Sequence, residues 1–407
     1  MREKQMRKRI LRELDRNGGL LPTKPCWVAR SFLPPGRRLG LSEAEYDAGE
    51  RGSICERWIV SETEVKNAVV LPHEGQSWIR TSDDTPILLA DALDVCRDEL
   101  LGADYARRHT SLDRLLKIYD YETRLFFHIH QRKQDAAKVG MNSKEEAYYY
   151  LDADPGKHPE TYFGVHPYIV DGGRQKEFFL PYLKQWQGES ILRHSRAYLN
   201  AEGEGFHLAP GILHAPGTAL TLELQESSDI MAILQAEVDG LKIDKALLFQ
   251  HLPQDAVAEE AAVLDQIDWE ACADPYFYEN HHLAPLAIAG EVPEGVAEEW
   301  VWYNSTRFSG TRITLQPGRK YVSTGLGVHG LFVWKGAGFV DDFPVEGQKV
   351  SLTEAADEFL VVHDKALKGV GLRNTGSIPM VVFKFFGPEI NDSIVPSIKP
   401  VLRSPRH

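Results

Sequence analysis

The segment His128-Ile-His130 holds the plainest chemistry in this sequence. In an extended strand, residues two apart project to the same face, so both imidazoles converge on one point. Alone, such a pair is also what ordinary surface or core histidines look like. Its company gives it weight. Glu146 stands just ahead of the aromatic run Tyr148-Tyr149-Tyr150, and His214 lies within Pro210-Gly-Ile-Leu-His214-Ala-Pro216. Three imidazoles and a carboxylate fill the ligand set of Zn, Fe, Mn or Ni and leave positions for solvent or substrate.

The elements around these residues follow from periodicity and turn residues. Arg124 to His130 alternates like a strand, Asp135 to Val139 is a polar helical stretch, and the tyrosine run is a second strand ended by Asp154-Pro155-Gly156. Gly172 to Arg196 reads as helices, and Phe206 to Leu224 returns to strands broken by two Pro-Gly pairs. Leu241 to Ala273, rich in Ala, Glu and Asp, is expected to be helical, and a Pro- and Gly-punctuated stretch follows it from Pro275 to Gly295. Trp300 to Phe386 carries closely spaced strands with glycine turns, the cadence of a sandwich or barrel. Upstream, Glu56 to Ser61 is strand-like, Ile87 to Leu101 is helical, and Met1 to Arg16 is expected to be a surface helix rather than a targeting leader.

Composition narrows the function classes. The chain has 407 residues, 43% hydrophobic and 26% charged, which suits a globular protein of two or three domains. Its 46 Lys and Arg against 59 Asp and Glu leave a net charge of −13, contrary to a broad nucleic-acid or anionic-membrane surface. Four scattered cysteines make neither a disulfide framework nor a zinc ribbon. No run reaches the ~20 apolar residues of a membrane span, and the expected location is cytoplasmic.

Gly325-Leu-Gly327-Val-His-Gly330 has the spacing of a dinucleotide-binding loop, but a strand-like run follows it, so it lacks the helix start that would hold phosphates. A β-turn is expected. His329 and His363 lack the spacing of a second metal pair, and His281-His282 is expected in a loop.

In order along the chain, these segments resemble the type I mannose-6-phosphate isomerases of the cupin (jelly-roll) superfamily. Cys55-Glu-Arg-Trp-Ile-Val-Ser61 is similar to the family's Gly-Glu-Ser-Trp-Glu-Val-Ser, and Leu115-Leu-Lys-Ile-Tyr-Asp120 leads into Leu125-Phe-Phe-His-Ile-His130. Ser143-Lys-Glu-Glu146-Ala-Tyr-Tyr is similar to Gly-Lys-Thr-Glu-Cys-Trp-Tyr, Gly211-Ile-Leu-His214-Ala to Gly-Thr-Val-His-Ala, and Leu222-Glu223-Leu-Gln-Glu-Ser-Ser-Asp229 to Tyr-Glu-Ile-Gln-Gln-Ser-Ser-Asp. Leu241-Lys-Ile-Asp-Lys-Ala246 resembles the helix leading into the family's second jelly roll.

The resemblance implies a mainly β fold with helical insertions and tandem cupin domains (double-stranded β-helix, or jelly roll), a catalytic one at 1–274 and a cupin-like one at 275–407. It implies a divalent metal, first of all zinc, on His128, His130, Glu146 and His214. The first of these is a departure, because the family has glutamine there. Lys144 and Glu223 fall on family active-site positions, as a proton donor or shuttle and as a proton carrier or orienter. The implied reaction interconverts a mannose-type and a fructose-type sugar, or sugar phosphate, through an enediol. It needs acid/base groups and a stabiliser for the developing oxyanion. A second departure is Ile233, where the family has an active-site arginine four residues after the Asp of Ser-Ser-Asp; Arg193, Lys242 or an arginine of the second domain would have to supply that cation. Two other readings stay open: a metal-binding cupin without turnover that binds sugar or regulates, and another cupin metal enzyme such as an iron-dependent dioxygenase.

Overall fold

The computed structural model describes residues 2–253, 259–399 and 402–404. The chain opens with the helix Arg2–Arg16, in which Met6, Ile10 and Leu14 recur at helical spacing and pack inward while the charged residues face mostly outward. Asn17-Gly18-Gly19 ends it. Gly19 has φ +88°, and a Cβ there would fall 2.7 Å from that of Lys365, so only glycine fits. The chain then lays Leu20–Pro22 antiparallel to Glu358–Val361, tying its beginning to a strand near its end.

Two antiparallel sheets form a first sandwich. The larger runs in the order His282–Leu283, Gly205–Leu208, Glu146–Tyr150, Thr221–Glu226, Arg114–Tyr119, Ser53–Ile59, Cys26–Arg30. The smaller runs Arg196–Leu199, Glu160–Phe163, His214–Ala215, His128–Ile129, Ala232–Ile233. Phe163 and Phe206 meet across the gap with ring centroids 4.7 Å apart. A second sandwich pairs a seven-stranded sheet (Leu20–Pro22, Glu358–Val361, His329–Lys335, Met380–Phe386, Ser309–Leu315, Val296–Trp302, Leu286–Ala287) with a four-stranded one (Lys320–Ser323, Val370–Asn374, Ala337–Val340, Phe343–Glu346).

The run of three tyrosines has a physical reason in this arrangement. Tyr148 and Tyr150 point into the first sandwich, while Ala147 and Tyr149 point out the other side, into a core shared with Trp302 and Phe383 of the second. The Tyr149 ring lies 5.1 Å from that of Phe383. A strand buried on both faces loses its polar alternation, and each large side chain so covered contributes about 1.5–3 kcal/mol. Because Glu146 shares the phase of Tyr148, it too faces the interior of the first sandwich.

Two segments depart from the sequence-based expectation. Leu241 to Ala273 is not one helical stretch. Leu241–Lys242 folds back on Glu237–Val238 through Asp239-Gly240, both at positive φ, as a tight hairpin requires. Only the short helices Ala246–Phe249, Glu260–Leu264 and Trp269–Cys272 follow, and residues 254–258 of this stretch lie outside the described residues. His281 and His282 are also not loop. They close the helix Phe277–His281 and open the strand His282–Leu283, where His281 Nδ1 donates to His207 O (2.8 Å) and His282 Nε2 meets Glu204 Oε2 (2.7 Å). The Gly325 to Gly330 motif does run into a strand, His329–Lys335, and a Cβ on Gly330 would collide with the Phe385 ring. Among the described residues, no helix is long and apolar enough to cross a membrane.

Candidate metal centre

His128 pairs directly across to His214 on one side and to Ile233 on the other. Directly opposite residues share a face, and the strand period of two adds His130 to that face. The three rings cluster, with centroids 4.0 Å (His128 to His214), 5.0 Å (His130 to His214) and 5.1 Å (His128 to His130) apart, and all three residues are buried. Ligand nitrogens of the three rings lie within 4.8 Å of one another.

The backbone orients each ring. Nδ1 lies 2.6 Å from Phe126 O in His128, 2.7 Å from Ile230 O in His130 and 2.8 Å from Ile212 O in His214. A carbonyl oxygen only accepts, so each Nδ1 carries the proton and each Nε2 keeps its lone pair. Such contacts to the far ring nitrogen are how proteins fix histidine ligands in the right tautomer.

The facing sheet supplies carboxylates and ammonium groups. Glu146 Oε2 lies 3.0 Å from His130 Nε2 and Oε1 lies 3.0 Å from His214 Nε2, while the Tyr148 hydroxyl donates to Oε1. Lys144 Nζ is 3.1 Å from His130 Nε2, 2.8 Å from Glu146 Oε2 and 3.1 Å from Glu223 Oε1. Glu223 is the register partner of Lys117, whose Nζ sits 3.3 Å from it. The structure thus brings together His128, His130, His214, Glu146, Lys144 and Glu223, from four strands or their ends.

His214 Nε2 is buried without a hydrogen-bond partner, while Glu146 Oε2 and Glu223 Oε1 are buried beside the Lys144 and Lys117 ammonium groups. Orphaned buried polar atoms are costly, and a lone pair 3.0 Å from a carboxylate oxygen gains nothing until a cation or proton lies between them. The donor set, three imidazole nitrogens with one carboxylate, fits a borderline divalent ion such as zinc, with iron, manganese or nickel also compatible. Burial depresses the basicity of His128 and His130, aided by His214 beside the first and Lys144 beside the second, and His130 is pushed down to about 3. Both are neutral and ligand-competent near pH 7.

At Lys144, burial would lower the pKa, but the carboxylates of Glu146 and Glu223 outweigh that and hold the ammonium above its ordinary value. Glu223 moves the other way from most paired acids, raised by burial and by the charge of Glu146 against the pull of Lys117 and Lys144.

Two cations in this pocket escape the sequence reading. Lys117 stands mid-strand, opposite Glu223. Arg30, at the end of the edge strand Cys26–Arg30, reaches inward and is buried, with Nε 2.7 Å from Glu56 Oε1 and both Nη atoms 3.1 Å from the Asp229 carboxylate. The one available signal for Lys117 is a lysine inside the apolar strand Leu115 to Tyr119. Arg30 carries none, because its partners lie 26 and 199 residues away. Among the described residues, none of the candidates for the cation absent at Ile233 lines the pocket: Arg193 is exposed, Lys242 extends into solvent near Glu237, and no arginine beyond residue 274 is in its wall. Ile233 itself lines the pocket, a cavity of about 30 Å³ that holds one or two water-sized bodies.

No protein-family model matches the sequence, and no curated protein does. Solved structures do match. Mannose 6-phosphate isomerase from Bacillus subtilis is 14% identical with a TM-score of 0.59, and a variant of phosphomannose isomerase from Salmonella typhimurium is 13% identical with a TM-score of 0.60. A mannose 6-phosphate isomerase bound with zinc and yttrium is 12% identical with a TM-score of 0.60. Each match covers 90% of this chain and 99% of the other. At these identities the likeness is one of architecture: across nine-tenths of its length, the chain has the fold of the mannose-6-phosphate isomerases.

Proposed function

We propose that this protein is a metal-dependent aldose-ketose isomerase that interconverts a mannose-type and a fructose-type sugar or sugar phosphate. His128, His130, His214 and Glu146 hold the ion, zinc in the first instance. One observation carries the reading: three buried imidazoles, each with Nδ1–H committed to a backbone carbonyl, turn their lone pairs on one point beside Glu146. The fold shared with mannose-6-phosphate isomerases supports it. We read the two sandwiches as tandem cupin units, 1–274 and 275–407 in outline, the first lending Leu20–Pro22 to its neighbour and receiving His282–Leu283 in return.

When bound, the ion supplies Lewis-acid polarisation of sugar oxygens. The chain supplies the proton handling. Glu223 lines the pocket with Oε1 between the Lys144 and Lys117 ammonium groups, the position of a group that takes a proton from one carbon and returns it to the next. Lys144, held by three partners, keeps an ammonium beside it to donate to an oxygen where negative charge develops. Leu125, Phe126 and Met231 line the pocket with apolar surface that limits water.

A second reading, a metal-binding module without turnover, is favoured by the narrowness of the pocket and by Ile233. One experiment separates the two: an isomerisation assay of the zinc-loaded protein on mannose, fructose and their 6-phosphates, with His130→Ala as control. Turnover that disappears in H130A is the expected result, and absence of turnover on all four compounds would overturn the isomerase reading in favour of the module.

A further inference from the structure

Resting on the isomerase reading, we propose that the sugar taken by this pocket carries no phosphate. The argument concerns where cations stand and what they already hold. Three basic side chains line the pocket among the described residues: Arg30, Lys117 and Lys144.

Arg30 has five N–H donors, and all five are committed. Nε and Nη2 bind Glu56, both Nη atoms bind Asp229, and Nη1 also binds Asn67 Oδ1 at 3.1 Å. Two donors of Lys144 are held by Glu146 and Glu223, and the third faces His130 Nε2, the nitrogen that would take the ion. Lys117 lies between Glu223 at 3.3 Å and Glu56 at 3.9 Å, so two carboxylates offset its charge. The ion's two charges would fall at the histidine end; apart from it, four carboxylates (Glu56, Glu146, Glu223, Asp229) answer three cations at the pocket floor, and no guanidinium has a free edge for the bidentate grip that phosphate favours.

The rim is no more hospitable to an anion. Of the residues that line the pocket, Phe32, Leu125 and Met231 are the ones with solvent exposure, and all three are apolar. A terminal phosphate would lie toward that rim, since the reacting carbons belong at the far end, beside the histidines. Ile233, directly across from His128, supplies neither charge nor donor. The adjoining groove, which shares Phe32, bears Glu122 and Asp239 against a single Lys157, and Lys157 is already 2.8 Å from Asp239. Lys66, whose backbone N–H donates to Asp229, turns its ammonium toward Glu64 instead. The segment 254–258 contributes no Lys or Arg to the sequence. A phosphate dianion in this setting would exchange its hydration for apolar walls and acidic neighbours, whereas a neutral hydroxymethyl group loses little.

The test is a set of binding isotherms on the zinc-loaded, full-length protein with mannose, fructose and their 6-phosphates. Inorganic phosphate serves as a competitor, and Ile233→Arg as a second protein whose zinc content and circular dichroism are checked. The 6-phosphates are expected to bind about tenfold or more weakly than the free sugars, a difference of about 1.4 kcal/mol or more. Inorganic phosphate is expected not to displace the sugar, and folded I233R is expected to narrow the gap. Equal or tighter binding of the 6-phosphates to the unaltered protein would overturn this proposal and leave the isomerase reading standing. Absence of binding by all four compounds would overturn both.

Discussion

Replacing Arg30 by methionine keeps an unbranched stem in place of the first part of the side chain and removes the guanidinium, its charge and all five hydrogen bonds. What is left behind sets the magnitude. Glu56 retains Trp58 Nε1 at 2.7 Å, the Tyr121 hydroxyl and a distant Lys117, but Asp229 keeps only the Lys66 backbone N–H at 3.0 Å. Both acids are almost wholly buried, at 0% and 6% exposure, so screening by water is small. Breaking a buried pair in this way costs about 3–5 kcal/mol because a charge is stranded in low dielectric. The pH dependence has a definite sign. Burial alone would raise Asp229, but Arg30 outweighs it and holds the carboxyl below its ordinary value. In the wild type, that contribution is complete above the unfolded-state pKa and is lost as pH falls through the folded one. In R30M, burial and the charge of Glu56 face only Lys117 and the Lys66 N–H, and the acid takes up a proton nearer neutrality, so the destabilisation shrinks between pH 7.5 and pH 5. Equilibrium urea unfolding followed by tryptophan fluorescence at the two pH values measures both effects. A loss below about 1 kcal/mol, the value of an exposed ion pair, would refute the reasoning, as would a gap that widens toward acid.

Zinc should be retained at one equivalent per chain by the wild type and lost from His214→Ala. At a hundred times its Kd the metal adds about 2.7 kcal/mol to wild-type stability, and an equal thermal shift in H214A would count against the ligand set. Lys144→Met is expected to keep zinc while turnover falls about 10²- to 10⁴-fold; loss of metal along with activity would show that the lysine is structural. His329 is buried and pushed down to about 3 by burial with Lys384 nearby, so the unfolded chain protonates first as pH drops below the ordinary histidine value. Its contribution to stability therefore declines by about 1.4 kcal/mol per pH unit from about pH 6.5 downward, and His329→Phe should flatten the acid limb of a pH-stability profile by that slope.

The histidines of this site were legible because a two-residue repeat has one meaning in a strand, and because Glu146, Lys144 and His214 stand in local motifs. The same logic fails for Arg30. A guanidinium closing an edge strand looks solvated until a second segment, 199 residues on, brings Asp229 against it. Many strands, among them those carrying His128 and Glu146 and the run from Trp300 to Phe386, were visible in their alternation and turn residues, whereas Cys26–Arg30, Glu160–Phe163, Ala232–Ile233 and His282–Leu283 were not. Leu20–Pro22 was not, since three residues carry no pairing information. Nor was the hairpin at Asp239-Gly240, whose turn signal sits at the head of a segment dominated by helix-forming alanine and glutamate. Local composition decides an element only where no long-range partner competes for it.

The strand Leu20–Pro22 has an effect on how this molecule is made. It leaves the ribosome some 335 residues ahead of its partner Glu358–Val361, where Thr23 then meets Glu358. Until that moment one edge of the second sheet lacks its final strand. A nascent chain must keep this strand available while the intervening residues are made, and a premature stop before residue 358 would release a product with it unpaired and open to other chains.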